Sequence, residues 1–157
     1  ALAMALMQVK NLTAEDFAAN HPAGRLGKRL TLRVRDLMHE SPNVSPEATW
    51  LEVVSAISRY SLGAVNVVDE NEHLIGIVTD GDLRRTIEKT APENLRGLNA
   101  SAMMTANPVV AAPNMLAYDA LKLMENRPRQ IAVLPVVEEN GVSIGLLRLH
   151  DIARSGL

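Results

Sequence analysis

No cysteine occurs in the 157 residues, which excludes a disulfide framework and any thiolate metal site. Aromatic residues are scarce as well. At 3% of the chain they are too few to build the stacking platforms on which single-stranded nucleic acid lies. No apolar run approaches the roughly 18 residues of a membrane span, and "ALAMALM" at the start lacks the basic flank of a signal peptide. Neither sign of charge dominates, and a net charge of −2 argues against a general polyanion binder. There is no glycine-rich phosphate loop, no Ser-His-Asp order and no convincing pair of carboxylates, so the chain carries no catalytic constellation of its own. His39, His73 and His150 stand singly, without metal-ligand spacing. The expected class is a cytoplasmic binding or scaffolding module that needs no cofactor and no metal and engages neither nucleic acid nor membrane. The abrupt start in mid-pattern suggests a chain cut from a longer one.

What the sequence does contain is a repeat, which decides the architecture. "GIVTDGDLRR" at residues 76–85 is echoed by "GLLRLHDIAR" at residues 145–154. Gly76 and Gly145, like Asp82 and Asp151, are 69 positions apart, and at that offset "NVVDENEHLIGIV" lies over "PVVEENGVSIGLL". Upstream, "DLMHESP" lies over "AMMTANP" at an offset of 66, and Trp50, Val53, Val54 and Ile57 match Ala117, Ala120, Leu121 and Met124 at 67. Small loop insertions account for the drift.

Each copy reads alike. Residues 50–57 and 117–124 carry the i, i+3, i+4, i+7 stripe of an amphipathic helix, and Thr49 with Glu52 has the spacing of a capping box. Gly63 and Pro128 stand where these helices should have ended. Strands are expected at residues 64–68 and 131–137, then, after the polar turns "DENE" and "EENG", at residues 74–78 and 144–147. Asp82 and Asp151 are expected to open short helices. The fold class is therefore α+β, with two helix-strand-strand-helix units packed about a pseudo-twofold axis, since one unit alone is too small for a good core.

The turn after residue 78 suits a ribose phosphate. Backbone N–H groups and the positive end of a helix favour the phosphate, Thr79 adds a hydroxyl, and Asp82 can accept from the 2′- and 3′-hydroxyls of a ribose. Asp80 adjoins this turn, and Arg84 and Arg85 bring positive charge nearby. From the residues alone the commoner reading is a turn followed by a helix cap. The second copy keeps Asp151 but places Arg148 where the hydroxyl belongs, with His150 beside it. Arg148 either binds phosphate itself or fills the pocket.

The repeated unit closed by "GIVTDGDL" resembles a CBS domain, a module named after cystathionine β-synthase that occurs in pairs known as Bateman modules. The resemblance implies adenosine-type nucleotides bound in clefts between the copies, Thr79 on phosphate and Asp82 on ribose, with Arg148, His150 and Asp151 around the second cleft. The front segment "LTAEDFAANHPAGRLGKRLTLRVRDLM" (residues 12–38) and the ending "LHDIARSGL" are similar to bacterial D-arabinose-5-phosphate isomerases of the SIS-CBS family. These enzymes interconvert ribulose 5-phosphate and arabinose 5-phosphate for octulosonate, lipopolysaccharide or capsule synthesis. On that resemblance residues 1–33 are the end of a sugar-isomerase (SIS) domain and a linker, residues 34–90 the first repeat, and residues 91–157 the second. Leu2, Ala5, Leu6 and Val9 would face the missing SIS domain, and His21 would assist catalysis in the parent enzyme only. The chain as given is then no enzyme but a regulatory pair. It would sense AMP, ATP or CMP-octulosonate and pair with a second copy as a homodimer. A ligand-free module that only holds subunits together is the alternative. The five basic residues of "GRLGKRLTLRVR" (Arg25, Lys28, Arg29, Arg33 and Arg35) read as linker contacts to an SIS domain or a sugar phosphate.

Overall fold

The amphipathic stripe that begins at Trp50 folds as expected, because Thr49 accepts a hydrogen bond from the Glu52 N–H while the Glu52 side chain returns to the Thr49 N–H. The computed structural model describes Thr13 and residues 24–157. His21 and the stripe of Leu2, Ala5, Leu6 and Val9 lie outside the described residues. From residue 24 the chain runs through helix α1 (Arg25–Thr31), a 3-10 turn (Val34–Asp36), and short strands β1 (His39–Glu40) and β2 (Asn43–Val44). Helix α2 (Trp50–Tyr60), strands β3 (Ala64–Val68) and β4 (Leu74–Thr79) and helix α3 (Asp80–Lys89) complete the first unit. After a 3-10 stretch (Pro92–Gly97) the plan recurs: α4 (Ala100–Met103), β5 (Thr105–Ala106), α5 (Ala117–Glu125), β6 (Val133–Val137), β7 (Ser143–Arg148) and α6 (Leu149–Arg154).

The strand registers carry the twofold relation. Ala64 pairs with Thr79 in β3 and β4, and Val133 pairs with Arg148 in β6 and β7, each partner displaced by 69 positions. Both hairpins slip register at corresponding places, between Val67 and Val68 and between Val136 and Val137. The short strands then cross over. β1 pairs with β7 through His39 and Leu146, whereas β5 pairs with β4 through Thr105 and Ile77. Each unit thus lends its first strand to the sheet of the other.

The cores are exchanged in the same way. Val53, Ile57, Val65, Val67 and Val78 of the first unit pack with Ala100 and Met103 of α4, while Ala120, Met124, Leu134, Val136, Leu147 and Ile152 of the second pack with Val34. Between these clusters Leu62, Ala64, Ile77 and Leu146 form a seam. Each buried Val, Leu, Ile or Met among them contributes about 1.5–3 kcal/mol relative to exposure, so neither unit can shed its partner's segment cheaply.

Two local expectations shift. The run from Ile131 becomes a strand only at Val133, because the Ile131 N–H closes the end of α5 on the Met124 carbonyl and the Ala132 carbonyl accepts from the Leu149 N–H. Nor are Asp82 and Asp151 the N-cap residues of their helices, although Asp82 closes a capping box by accepting from the Thr79 N–H. α3 and α6 start earlier, the N-caps are Thr79 and Arg148, and both aspartates sit three residues further on.

The basic run is absorbed into packing. Lys28 donates to the Ser155 carbonyl at 2.7 Å, Arg29 lies 4.7 Å from the centre of the Tyr118 ring, and Arg33 donates to the Asn114 carbonyl at 2.5 Å. Arg25 reaches the Leu157 carbonyl at 3.4 Å and Arg35 bonds the Asn114 side chain. These contacts fasten α1 and the following turn to the second unit. Among the described residues no helix is long and apolar enough to cross a membrane.

Candidate functional site

A cleft of about 500 Å³ opens between the two units. Its polar wall is the β4–α3 turn, with Thr79, Asp80, Gly81, Asp82 and Arg85; Arg129, Gln130, Val133 and Pro135 face it from the second unit. Gly63 closes one corner with φ +76, a backbone conformation that glycine adopts without strain, and its carbonyl accepts from the Asp80 N–H at 3.0 Å.

Thr79 and Asp82 are locked to each other. The Thr79 hydroxyl donates to Asp82 Oδ2 at 2.7 Å and accepts from the Asp82 N–H at 3.2 Å, while the Thr79 N–H donates to the same carboxylate oxygen at 2.9 Å. Asp82 is buried, and Arg85 donates to its Oδ1. One helix turn therefore fixes a hydroxyl, a carboxylate and a guanidinium at the mouth of the cleft, together with the positive end of α3. Such a set can grip an anion and the vicinal hydroxyls of a sugar. Among the described residues no group of His, Asp and Glu has the arrangement to hold a metal ion.

The related position in the second unit is built differently. Arg148 spans Asp151 with both arms, Nε to Oδ2 at 2.6 Å and Nη2 to Oδ1 at 2.9 Å, and its Nη1 reaches across to the Ser61 carbonyl at 3.4 Å. His39 Nε2 lies 2.7 Å from the same Asp151 Oδ2. The guanidinium, seconded by the imidazole, holds the Asp151 carboxyl at about 2 against an ordinary 3.8, while burial works the other way. The carboxylate in turn pushes the Arg148 ionisation upward. Asp151 thus has three polar contacts from protein groups, as many as Asp82, but its partners include a guanidinium engaged with both arms and a histidine from the other unit. His150 is exposed on the first turn of α6.

The cleft gathers Thr79, Asp80 and Asp82 from the sequence expectation; of the two arginines, Arg85 lines its wall and the exposed Arg84 does not. Helical spacing held the signal, since Arg85 follows Asp82 by three residues and Arg84 by only two. Sequence reasoning also missed Arg129 and Gln130, which the 69-residue offset relates to Tyr60 and Ser61, the residues leading into Gly63. It gave His39 no partner, although the offset of 66 makes it the counterpart of Thr105, another residue of the cleft wall.

The family model described as CBS domain matches residues 34–89 and 100–157. Arabinose 5-phosphate isomerase KdsD of Salmonella typhimurium is 41% identical over an alignment of 160 residues that takes in 100% of this chain and 47% of the relative. The chain accordingly spans about half the length of the curated relatives it matches. Among solved structures, the CBS domain of a CBS domain containing membrane protein from Sphaerobacter thermophilus superposes with a TM-score of 0.69 at 29% identity, covering 87% of this chain and 94% of that one. CBSX2 in complex with AMP gives a TM-score of 0.64 at 25% identity, covering 80% and 96%.

Proposed function

This chain belongs to the CBS-domain family, and from that premise we propose that its open cleft is a nucleotide sensor attached to an arabinose-5-phosphate isomerase. The ribose phosphate lies against the β4–α3 turn, with Thr79 and the start of α3 on the phosphate and Asp82 on the ribose hydroxyls. Candidate ligands are AMP, ATP and CMP-octulosonate. The observation that carries the reading is the cleft itself, which places a hydroxyl, a buried carboxylate and Arg85 on one side and apolar residues with Arg129 on the other. Binding between the units would change their relative pose, and a SIS domain joined through residues 1–33 would receive that change. A ligand shifts such an equilibrium only by its differential affinity for the two states. Leu51 and Ile87, exposed on α2 and α3, offer apolar surface to a homodimer of such pairs.

The ligand-free structural module keeps one observation on its side: Thr79, Asp82 and Arg85 already satisfy one another. Thermal melts against AMP, ATP, CMP, CMP-octulosonate and arabinose 5-phosphate separate the two readings. A ligand at about 100 times its Kd adds roughly 2.7 kcal/mol, or several degrees at about 2–4 °C per kcal/mol. A rise with one nucleotide that Asp82→Ala abolishes establishes the sensor. Because Asp82 also stabilises α3, the comparison is of the ligand-induced rise and not of the melting point itself. Flat melts across the set leave the structural module.

A further inference from the structure

The chain passes between the two sheets at two related places. Between Glu40 and Val44 it leaves the sheet of the second unit, where β1 pairs with β7, for that of the first, where β2 pairs with β3. Between Ala106 and Ala111 it crosses the other way, from β4 to β6. The anchors correspond. Glu40 faces Gly145 where Ala106 faces Gly76, and Val44 faces Val67 where Ala111 faces Val136. Three residues separate the anchors of the first crossing and four those of the second.

The two crossings are held very differently. Asn66, fully buried, secures the first: its N–H donates to the Pro42 carbonyl at 2.9 Å. Its Nδ2 lies 2.8 Å from Ser41 Oγ, 2.9 Å from Ser143 Oγ and 3.2 Å from the Gly145 carbonyl. One amide thus joins β3, the crossing segment and β7, and a buried network of this kind favours a single arrangement. On the same side His39 and Arg148 meet at Asp151, and Arg148 reaches the Ser61 carbonyl. At the second crossing the offset of 69 puts Pro135 in the place of Asn66 and Leu74 in that of Ser143. Proline has no N–H to offer the Pro108 carbonyl, and neither side chain can hydrogen-bond. Pro42 is buried, whereas Asn107 and Val110 are exposed. Asn107 also takes φ +47, a left-handed conformation that asparagine tolerates better than most residues.

We propose that the pair bends on one side only: the crossing at residues 41–43 is a fixed pivot, and the open cleft widens or narrows by movement of residues 107–110. Pro108, Val109 and Pro135 line that cleft, so movement there changes its shape directly. Thr79 and Asp82 face it from a turn locked by its own hydrogen bonds. The hairpins stay joined at the axis, where His73 bridges Val142. There Leu74 donates to the Gly141 carbonyl at 3.1 Å and Ser143 to the Glu72 carbonyl at 2.9 Å. These two bonds are related by the same offset of 69, so they favour neither side. The inference locates the pose change invoked above, and it holds for whatever the cleft accepts.

Amide hydrogen exchange of the chain, resolved by NMR and without any ligand, tests this. Protection reports the free energy of local opening, and Val44 and Ala111 hold the same place beyond each crossing. Val44 should be protected about tenfold or more above Ala111, the order expected of one or two net hydrogen bonds. The ratio is the readout, because a change in overall stability moves both amides together. Asn66→Val should bring the ratio toward one by loosening Val44. Pro135→Asn, which returns an N–H and an amide to the second crossing, should do so by tightening Ala111. A ratio near one in the parent chain overturns the inference whether or not the variants fold. A ratio that either folded variant leaves unchanged overturns it as well. Both results would leave the nucleotide reading of the cleft standing.

Discussion

Replacing Asp151 by Asn keeps the outline of the side chain and removes its charge, leaving the Arg148 guanidinium and the His39 ring facing a neutral amide. The carboxyl is held at about 2 in the folded chain against 3.8 when free, first by the Arg148 hydrogen bonds and then by His39. At roughly 1.4 kcal/mol per pH unit this depression is worth about 2 kcal/mol at neutral pH. The Asp151 side chain is 18% exposed, so screening by water reduces that figure only in part. A carboxyl whose value is lower in the folded state stabilises fully above its unfolded value and loses that contribution as pH falls toward the folded one. The gap between the parent chain and Asp151→Asn should therefore be about 2 kcal/mol at pH 7, or about 4–8 °C in Tm. It should shrink below about pH 4 and nearly vanish near pH 2. Urea unfolding of both proteins across that range measures it, and the remaining carboxyls protonate alike in the two, so the difference isolates Asp151. A gap that stays constant from neutral pH into acid would refute the ion pair as its source.

Thr79→Val removes the hydroxyl that caps α3 and should cost about 1 kcal/mol in thermal unfolding, with weaker nucleotide binding as a second readout. Gly145→Ala should be much worse than Gly76→Ala. The new methyl carbon would sit 2.6 Å from the His39 backbone carbonyl, which is held in the β1–β7 ladder, whereas at Gly76 it meets only side-chain atoms, Sδ, Cγ and Cβ of Met104, of which the outer two can rotate away. About 2 kcal/mol or more is expected for the first and clearly less for the second, checked by Tm or the urea midpoint. Arg148→Thr combined with His39→Thr recreates at the second position the pattern of Thr79 and Thr105, so calorimetry should find the number of bound nucleotides rising from one to two. A stoichiometry that stays at one would show that more than these two side chains closes the second cleft.

The repeat made most of the fold legible. Identical spacing at 69 positions announced paired hairpins, and the capping box at Thr49 and Glu52 fixed the start of α2 where the stripe begins. What stayed hidden is what periodicity cannot carry. A two-residue strand such as His39–Glu40 has no alternation to read, so its crossing to β7 emerges only in three dimensions. At the cleft, Thr79 and Asp82 were legible because a turn and a helix start bring them together locally. Arg129 and Pro135 were not, since they arrive from the other unit by tertiary packing. The aspartates were misplaced by one helix turn because Asp serves both at a cap and three residues beyond it, and sequence alone does not say which residue is the last extended one.

The crossing of β1 to β7 and of β5 to β4 has a consequence for ancestry. Two separate copies of a single unit could exchange those same segments, and the contacts would form a symmetric homodimer by swapping. The tandem chain has the topology that covalent joining of such a dimer would give. In the separate form both clefts would be bound to the same sequence, and any change in one would be imposed on the other. Once the copies are fused, each cleft mutates independently. Thr79 can line an open cleft in one unit while Arg148, at the related position of the other, joins Asp151 to the Ser61 carbonyl across the units.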